Sequence, residues 1–476
     1  MKLFGRVANK FKAFGITVFK VCRKNGRITY KLFNLPVFSG YDLFSECKQT
    51  VRNNKDFDCR TLDRKILDAV DGRCLKNTGK TVDDRIAFLA SELYTTGGHT
   101  KWLLNMQKAL SGKYKEKLFL TNMNENDAGV EKMLSETAVV CPVERGDCYP
   151  FYSKSEMKRI YKKITEWNPK VLFVFIHPDD VAGAAILGLL KKHTHIKILY
   201  CPHASHYPNL GISFADLTLE PLPTDAWITQ RLRKFDKTHQ SRSLIFSKAV
   251  ADFPHFSPDD IARRRREIGC ADGFKCVLSG AAAYKYFDEN GSVFFETVKR
   301  LLERNADVMF FVLTSLSDEQ KRIVEGVFSG SDARDRLRFL PFSADYELTF
   351  KCADVFMDSF PVSSALTMID LMRLKVPAVV KINRENAHWS FHEYQRPDYP
   401  YMFETADGML AGVERLLSDP AERDRIAEMS YANYLTAYEM SAAAKHLIEI
   451  IENSDHLERF YDKPVEGERH FKELGI

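Results

Sequence analysis

Four histidines and one hydroxyl-rich turn fall where an apolar run gives way to a loop. Ile86–Ala90 reads as a strand and runs into Ser91-Glu-Leu-Tyr-Thr-Thr-Gly-Gly-His99. Val171–Ile176 runs into His177-Pro-Asp179-Asp180, and Ile196–Tyr200 into Cys-Pro-His203-Ala-Ser-His206. Loops that follow parallel strands gather on one edge of their sheet. An imidazole there can take a proton as general base or donate to a phosphate near neutral pH. We single out His99, His203 and His206, with Asp179 behind them. Which is the base and which the phosphate donor stays open. Each histidine alone also fits a capping or packing role; their clustering points to chemistry. The HxxH spacing at 203–206 lacks a third ligand, and no HExxH occurs, so no metal site is expected.

The hydroxyl-rich turn lies in Ala353–Val380. Val355–Met357 reads as a buried strand that Pro361 stops, because proline cannot donate to a sheet ladder. Ser363 and Ser364 offer an N-cap. Leu366, Ile369, Met372 and Leu374 follow at helical spacing, and Pro377–Val380 reads as the next strand. Hydroxyls beside the unpaired N–H groups of a helix start suit a phosphate. Gly97-Gly98 likewise lets backbone approach an anion or a sugar closely, although no GxGxxG is present.

The elements that must hold these residues are alternating strands and helices, and they form two series. The first takes in Ile86–Ala90, Lys117–Thr121, Ala138–Cys141, Val171–Ile176, Ile196–Tyr200 and Asp216–Glu220. The second takes in Lys275–Ser279, Val308–Leu313, Leu337–Leu340, Val355–Met357 and Pro377–Val380. Residues 41–80 show no clear organisation, and 404–418 and 420–450 are helical by pattern. We expect a basic N-terminal extension over 1–80 and an N-terminal Rossmann-like acceptor domain over 81–250. A C-terminal Rossmann-like donor domain over 251–435 and a helix with tail over 436–476 complete the chain. With 476 residues and 45% hydrophobic content, two packed cores are affordable.

Formal net charge is +5, but residues 1–40 hold nine basic residues and no acidic one. The remainder is slightly acidic, 60 basic against 64 acidic. Phe4, Val7, Phe11, Phe14 and Val18 make a helical stripe, so residues 1–35 are expected to form a basic amphipathic helix on an anionic membrane surface. No nucleic-acid motif accompanies the charge, and no nucleic acid is expected. Ten cysteines stand singly without a CxxC pair. Reduced thiols, no leader and no spanning segment follow, hence a cytoplasmic protein, peripheral on the inner face of the membrane.

Residues 275–380 resemble the donor domain of the protein O-GlcNAc transferase family and of the bacterial HMW1C-like transferases. The resemblance rests on Tyr284-Lys285-Tyr286, Arg338–Phe342, Ala353–Ser359, Thr367–Asp370 and Val376-Pro377. Residues 203–216 more loosely resemble bacterial transferases of surface-glycan pathways. The resemblance implies an α/β GT-B fold: two doubly wound Rossmann-like domains facing across a cleft. It implies Lys285 and Thr367 on a donor diphosphate, Asp370 on the ribose hydroxyls and Ser343 at the base. Asp345 and Ala365 depart from the pattern, where a lysine and a histidine would stand. Two glutamates eight residues apart, the mark of retaining GT-B enzymes, are missing at Val362, which points to inversion.

The expected function is transfer of a hexose or N-acetylhexosamine from a UDP-sugar to a cell-surface glycan or lipid-linked precursor. The donor is a substrate, and no cofactor is expected. Alternatives are a protein acceptor, as in the HMW1C kind, or a non-catalytic scaffold of the same fold.

Overall fold

A computed structural model describes residues 4–462, with gaps at 54–55, 73–78, 95–97, 122–128, 131–140, 147–152, 236–242, 246–254, 342–345 and 384–390. His203, His206, Asn290 and the positions between strands within 8–42 are also left out. The chain divides into two units: Met1–Lys248 with Ala444–Val465, and Ala249–Ala443.

The N-terminal segment is not helical. It is an antiparallel meander of β1 Phe4–Val7, β2 Lys10–Ala13, β3 Ile16–Lys24, β4 Arg27–Leu32 and β5 Leu35–Tyr41. The helical stripe coincides with a second pattern that wins: β-branched and aromatic residues dominate 16–21 and 28–30. Asn25-Gly26, a strong hairpin dipeptide, lies between the paired Lys24 and Arg27.

The first unit is built on seven parallel strands: β6 Val82–Ala90, β7 Lys115–Leu120, β8 Val143–Arg145, β9 Pro169–Phe175, β10 Lys197–Tyr200, β11 Leu217–Glu220 and β12 Ser243–Ile245. Their order is β12-β11-β10-β9-β6-β7-β8. The first strand therefore sits between the second and the fourth, the doubly wound arrangement with its switch point at β6/β9. Val171–Phe175 is fully buried, as a central parallel strand flanked by helices must be. The expected strand Ala138–Cys141 falls, except for Cys141, outside the described residues.

Residues 43–70, unreadable in sequence, supply two helices, Leu43–Asn53 and Arg60–Val70. The second packs on the apolar helix Val181–His193. Asp63 ties it down: the buried carboxylate accepts from the Gly211 N–H at 2.7 Å and the Ser213 hydroxyl at 2.6 Å. Burial pushes this carboxyl up to about 7 against the pull of those hydrogen bonds. The chain also returns here at its end. On helix Met440–Glu452, Glu452 meets Lys113 at 2.6 Å, and beyond it the Tyr461 hydroxyl donates to the Asp216 carbonyl.

The second unit repeats the plan with β13 Lys275–Gly280, β14 Val308–Leu313, β15 Leu337–Leu340, β16 Val355–Met357, β17 Ala378–Lys381 and β18 Met402–Phe403. The order β15-β14-β13-β16-β17-β18 places its switch point at β13/β16. Phe294, Val298, Leu301, Phe310, Val355 and Val413 share its core. Among the described residues, no helix is long and apolar enough to cross a membrane.

Replacing Asp63 by alanine strands the buried Gly211 N–H and the part-buried Ser213 hydroxyl, so Asp63→Ala should lower the unfolding free energy by about 3 kcal/mol. Denaturant titration of variant and wild type checks this.

Candidate functional site

Each switch point gathers a constellation of polar side chains. In the first unit the loops after β6 and β9 meet through hydrogen bonds. Asp180, with no exposed surface, caps helix Val181–His193 by accepting from the Gly183 N–H at 2.9 Å. Its other oxygen accepts from the Ser91 and Thr121 hydroxyls, both at 2.7 Å. Ser91 in turn accepts from the His177 N–H at 2.7 Å. A side chain at residue 183 would come within 2.8 Å of Ile176, so glycine is required at this close approach.

This lattice holds an imidazole against a carboxylate. His177 Nε2 lies 2.6 Å from Oε1 of the buried Glu92, and the Tyr94 hydroxyl donates to the same oxygen. The His99 ring stacks on that of His177, with centroids 5.7 Å apart and planes 19° from parallel. Burial opposes charge on His177. The bond to Glu92 and the negative charges of Glu92, Asp180 and Asp179 overcome it, and its pKa is raised. An imidazole with a carboxylate behind it is equipped to take a proton from a hydroxyl.

The structure brings His99 to this cluster. Asp179 faces elsewhere: its carboxylate lies 2.5 Å from Arg52 Nε and 3.7 Å from Lys48 Nζ, and the carboxylate paired with an imidazole is Glu92. His203 and His206 lie outside the described residues. Their neighbours Ser205 and Tyr207 are anchored, because the buried Arg233 guanidinium donates to both carbonyls at 3.0 and 3.1 Å.

In the second unit the loop after β16 is folded around Asp358. This carboxylate, with no exposed surface, accepts from the Ser363 hydroxyl at 2.6 Å and from the N–H groups of Ser359 and Ser364, both at 2.9 Å. Burial raises its pKa. The expected N-cap role of Ser363 and Ser364 is therefore corrected. Asp358 takes the Ser363 hydroxyl and the Ser364 N–H, and helix Thr367–Arg373 starts later, with Leu366 at its N-cap. Ala365 is held at a φ of 59°, which costs an L-residue about 1 kcal/mol.

The turn presents the Ser363 carbonyl to the loop after β13. There Lys285 Nζ donates to it at 2.6 Å, and the Val362 N–H donates back to the Lys285 carbonyl at 3.3 Å. Burial lowers the Lys285 pKa to about 8, and the charge of Asp358 opposes the shift. The Ser364 hydroxyl is buried and meets no protein partner among the described residues. An acceptor oxygen from a ligand would satisfy it. Thr367 opens the helix. Asp370 on its next turn already meets Arg373 at 3.1 Å and the Tyr346 hydroxyl at 3.3 Å. Ser343 lies outside the described residues, as does Asp345.

A cavity of about 450 Å³ opens at the ends of β14 and β15. Leu316, Val324, Phe339 and Pro341 wall it, and the buried Thr314 hydroxyl, without a partner among the described residues, faces the same loop region. No cluster of three or more histidine, cysteine or acidic side chains among the described residues could hold a metal.

Two sheets in the same 3-2-1-4 order, each with its polar cluster at the switch point, have counterparts among solved structures. HepE of Anabaena, solved with UDP and glucose, matches with a TM-score of 0.59 at 14% identity over 78% of this chain and 99% of that one. The chain has the GT-B fold. The GT-B likeness extends to the lipopolysaccharide outer core galactosyltransferase WaaB, with a TM-score of 0.55 and 11% identity over 78% and 99% of the two chains. It extends also to an O-GlcNAc transferase of Thermobaculum terrenum, with a TM-score of 0.50 and 13% identity over 88% and 78%. No family model matches the chain, and no curated protein matches it in sequence.

The raised pKa of His177 makes its pair with Glu92 a source of stability at acid pH that fades as pH rises through the folded value, above the ordinary 6.5. His177→Gln should therefore cost melting temperature below pH 6 and progressively less towards alkaline pH. Thermal unfolding across that range checks it.

Proposed function

We propose that the protein is a nucleotide-sugar-dependent glycosyltransferase. It transfers a hexose or N-acetylhexosamine from a UDP-sugar, with inversion and without a metal, to a surface glycan or its lipid-linked precursor. The observation that carries this is the Lys285 ammonium fixed on the Ser363 carbonyl at the β13/β16 switch point, beside the buried Ser364 hydroxyl, which has no hydrogen-bond partner among the described residues. A nucleoside diphosphate leaving group gains negative charge as the glycosidic bond breaks. A preorganised ammonium and hydroxyl stabilise that charge without a large reorganisation. Thr367 adds a hydroxyl at the helix start. The cavity beside Pro341 suits the nucleoside end, with Ser343 at the base and Asp370 at the ribose once its bonds to Arg373 and Tyr346 are shared.

The first unit supplies the base. His177, backed by Glu92, takes the proton of the acceptor hydroxyl, and His99 stacks against it. His203 and His206 contribute to the acceptor's surroundings. The UDP and glucose of HepE and the lipopolysaccharide substrate class of WaaB support the donor and acceptor classes.

UDP should raise the melting temperature of the wild type, and Lys285→Met should abolish that shift and reduce turnover by at least about 100-fold with the fold intact. Wild-type turnover in Lys285→Met, or no stabilisation by any nucleoside diphosphate, would refute the donor site. Turnover should climb with pH through an apparent pKa above 6.5, as an imidazole base requires.

A further inference from the structure

The turn that carries the chain from helix Pro258–Glu267 into β13 brings two thiols together. The helix ends in a Schellman motif: the Gly269 N–H donates to the Arg266 carbonyl at 3.0 Å and the Cys270 N–H to the Arg265 carbonyl at 2.9 Å. Gly269 takes the left-handed conformation that this closure requires, with a φ of 81°. Wound back in this way, Cys270 turns inward and is 5% exposed, while Ala271, Asp272 and Gly273 lie at the surface. The Phe274 N–H then closes on the Ala271 carbonyl at 3.0 Å, and the chain enters β13 with Cys276 fully buried. Cys276 is opposed to Met309 of β14, so the two share a face of the sheet. The Met309 sulfur accepts from the Ala271 N–H at 3.4 Å, which holds the turn against that same face.

Both thiols are free, and the Cys276 thiol donates to the Cys270 sulfur. Arg265 ties the group together. Its guanidinium donates to the Phe274 carbonyl at 3.4 Å and to the Asp354 carboxylate at 2.7 Å, and the same Asp354 oxygen accepts from the Cys276 N–H at 2.7 Å. The bond from Cys276 and the charge of Arg265 hold the Cys270 thiol below the ordinary thiol range, against burial and the charge of Asp354. Cys276 is pushed the other way by that same bond and by burial. A sulfur beside a cation, with a protonated thiol next to it, is equipped as a nucleophile with a resolving partner. We propose that Cys270 and Cys276 are a redox-active dithiol, which hydrogen peroxide converts to an intramolecular disulfide. The Cys270 sulfur attacks one peroxide oxygen, the O–O bond breaks, and hydroxide leaves and takes the thiol proton to become water. Cys270 is thereby oxidised to a sulfenic acid. The Cys276 sulfur then attacks the Cys270 sulfur, the S–O bond breaks, and a second water leaves with the Cys276 proton. Two thiols and one peroxide give one disulfide and two waters. The path for so small an oxidant runs along the Arg265 side chain, which is 29% exposed. The pair lies at the start of β13, and the Lys285 loop leaves the other end of that strand, about 15 Å away. Oxidation and donor binding are therefore read separately.

The test exposes the folded full-length protein to hydrogen peroxide, blocks the remaining thiols with iodoacetamide and maps the peptides by mass spectrometry. A Cys270–Cys276 disulfide should form and return to two thiols with dithiothreitol. Its formation should be at least about tenfold faster than oxidation of Cys352, a buried thiol on a neighbouring element that burial pushes up to about 12. Cys276→Ser should stop at a sulfenic acid on Cys270, trapped by dimedone, and Cys270→Ser should leave Cys276 unoxidised. Circular dichroism checks that both variants fold, and the wild-type result decides alone if one does not. A folded wild type whose Cys270 and Cys276 stay reduced, or oxidise no faster than Cys352, would overturn the proposal, as would a disulfide joining Cys276 to Cys352. Dimedone trapping at Cys276 in the Cys270→Ser variant would overturn the assignment of roles.

Discussion

The Asp358 carboxylate sits at the end of a fully buried strand with none of its surface exposed. A carboxylate there is tolerated only if its oxygens find donors. Those donors come from the six residues that follow, so the chain must curl back: Ser359 and Ser364 give N–H groups and Ser363 its hydroxyl. The curl pushes Ala365 into the left-handed region and delays the helix to Thr367. It also aims the Ser363 carbonyl outward from the turn, where Lys285 from the neighbouring loop closes on it. The position of Lys285 at this switch point thus follows from the need to satisfy a buried acid.

The first unit solves the same problem in the same place. Asp180 also follows a central strand, is also fully buried, and also draws hydroxyls to itself. Here the donors belong to the loops after β6 and β7, so the acid stitches three loops together. The result is an imidazole–carboxylate pair, His177 with Glu92, on a frame that cannot easily shift. Two buried acids, one per sheet, each organise the loop that follows a central strand.

The strands were legible because a central parallel strand is a continuous apolar run, as Val171–Phe175 and Val308–Leu313 are. The loops after them were legible for the same reason. What sequence could not supply was adjacency. Glu92 stands in the same loop as His99, and nothing in the chain says that it meets His177 until β6 is known to lie beside β9. Ser363 and Ser364 read as an N-cap because the competing acceptor, Asp358, is five residues earlier. The N-terminal stripe of Phe4, Val7, Phe11, Phe14 and Val18 fits a helix as well as it fits strands interrupted by turns. Asn25-Gly26 was the signal that decided between them. The helix Arg60–Val70 was not read from the sequence, because the charged residues around Leu62, Ile66 and Val70 masked their spacing.

If Asp358 and Lys285 together build a diphosphate site, a bound nucleotide must quiet the backbone of both loops at once. Hydrogen–deuterium exchange of the full chain with and without UDP measures this directly. The account predicts slower exchange at Ala281–Tyr286 and at Asp358–Thr367, with the strands behind them unchanged. Protection confined to the Ser91–His99 loop, or no change in either loop of the second unit at saturating UDP, would contradict it.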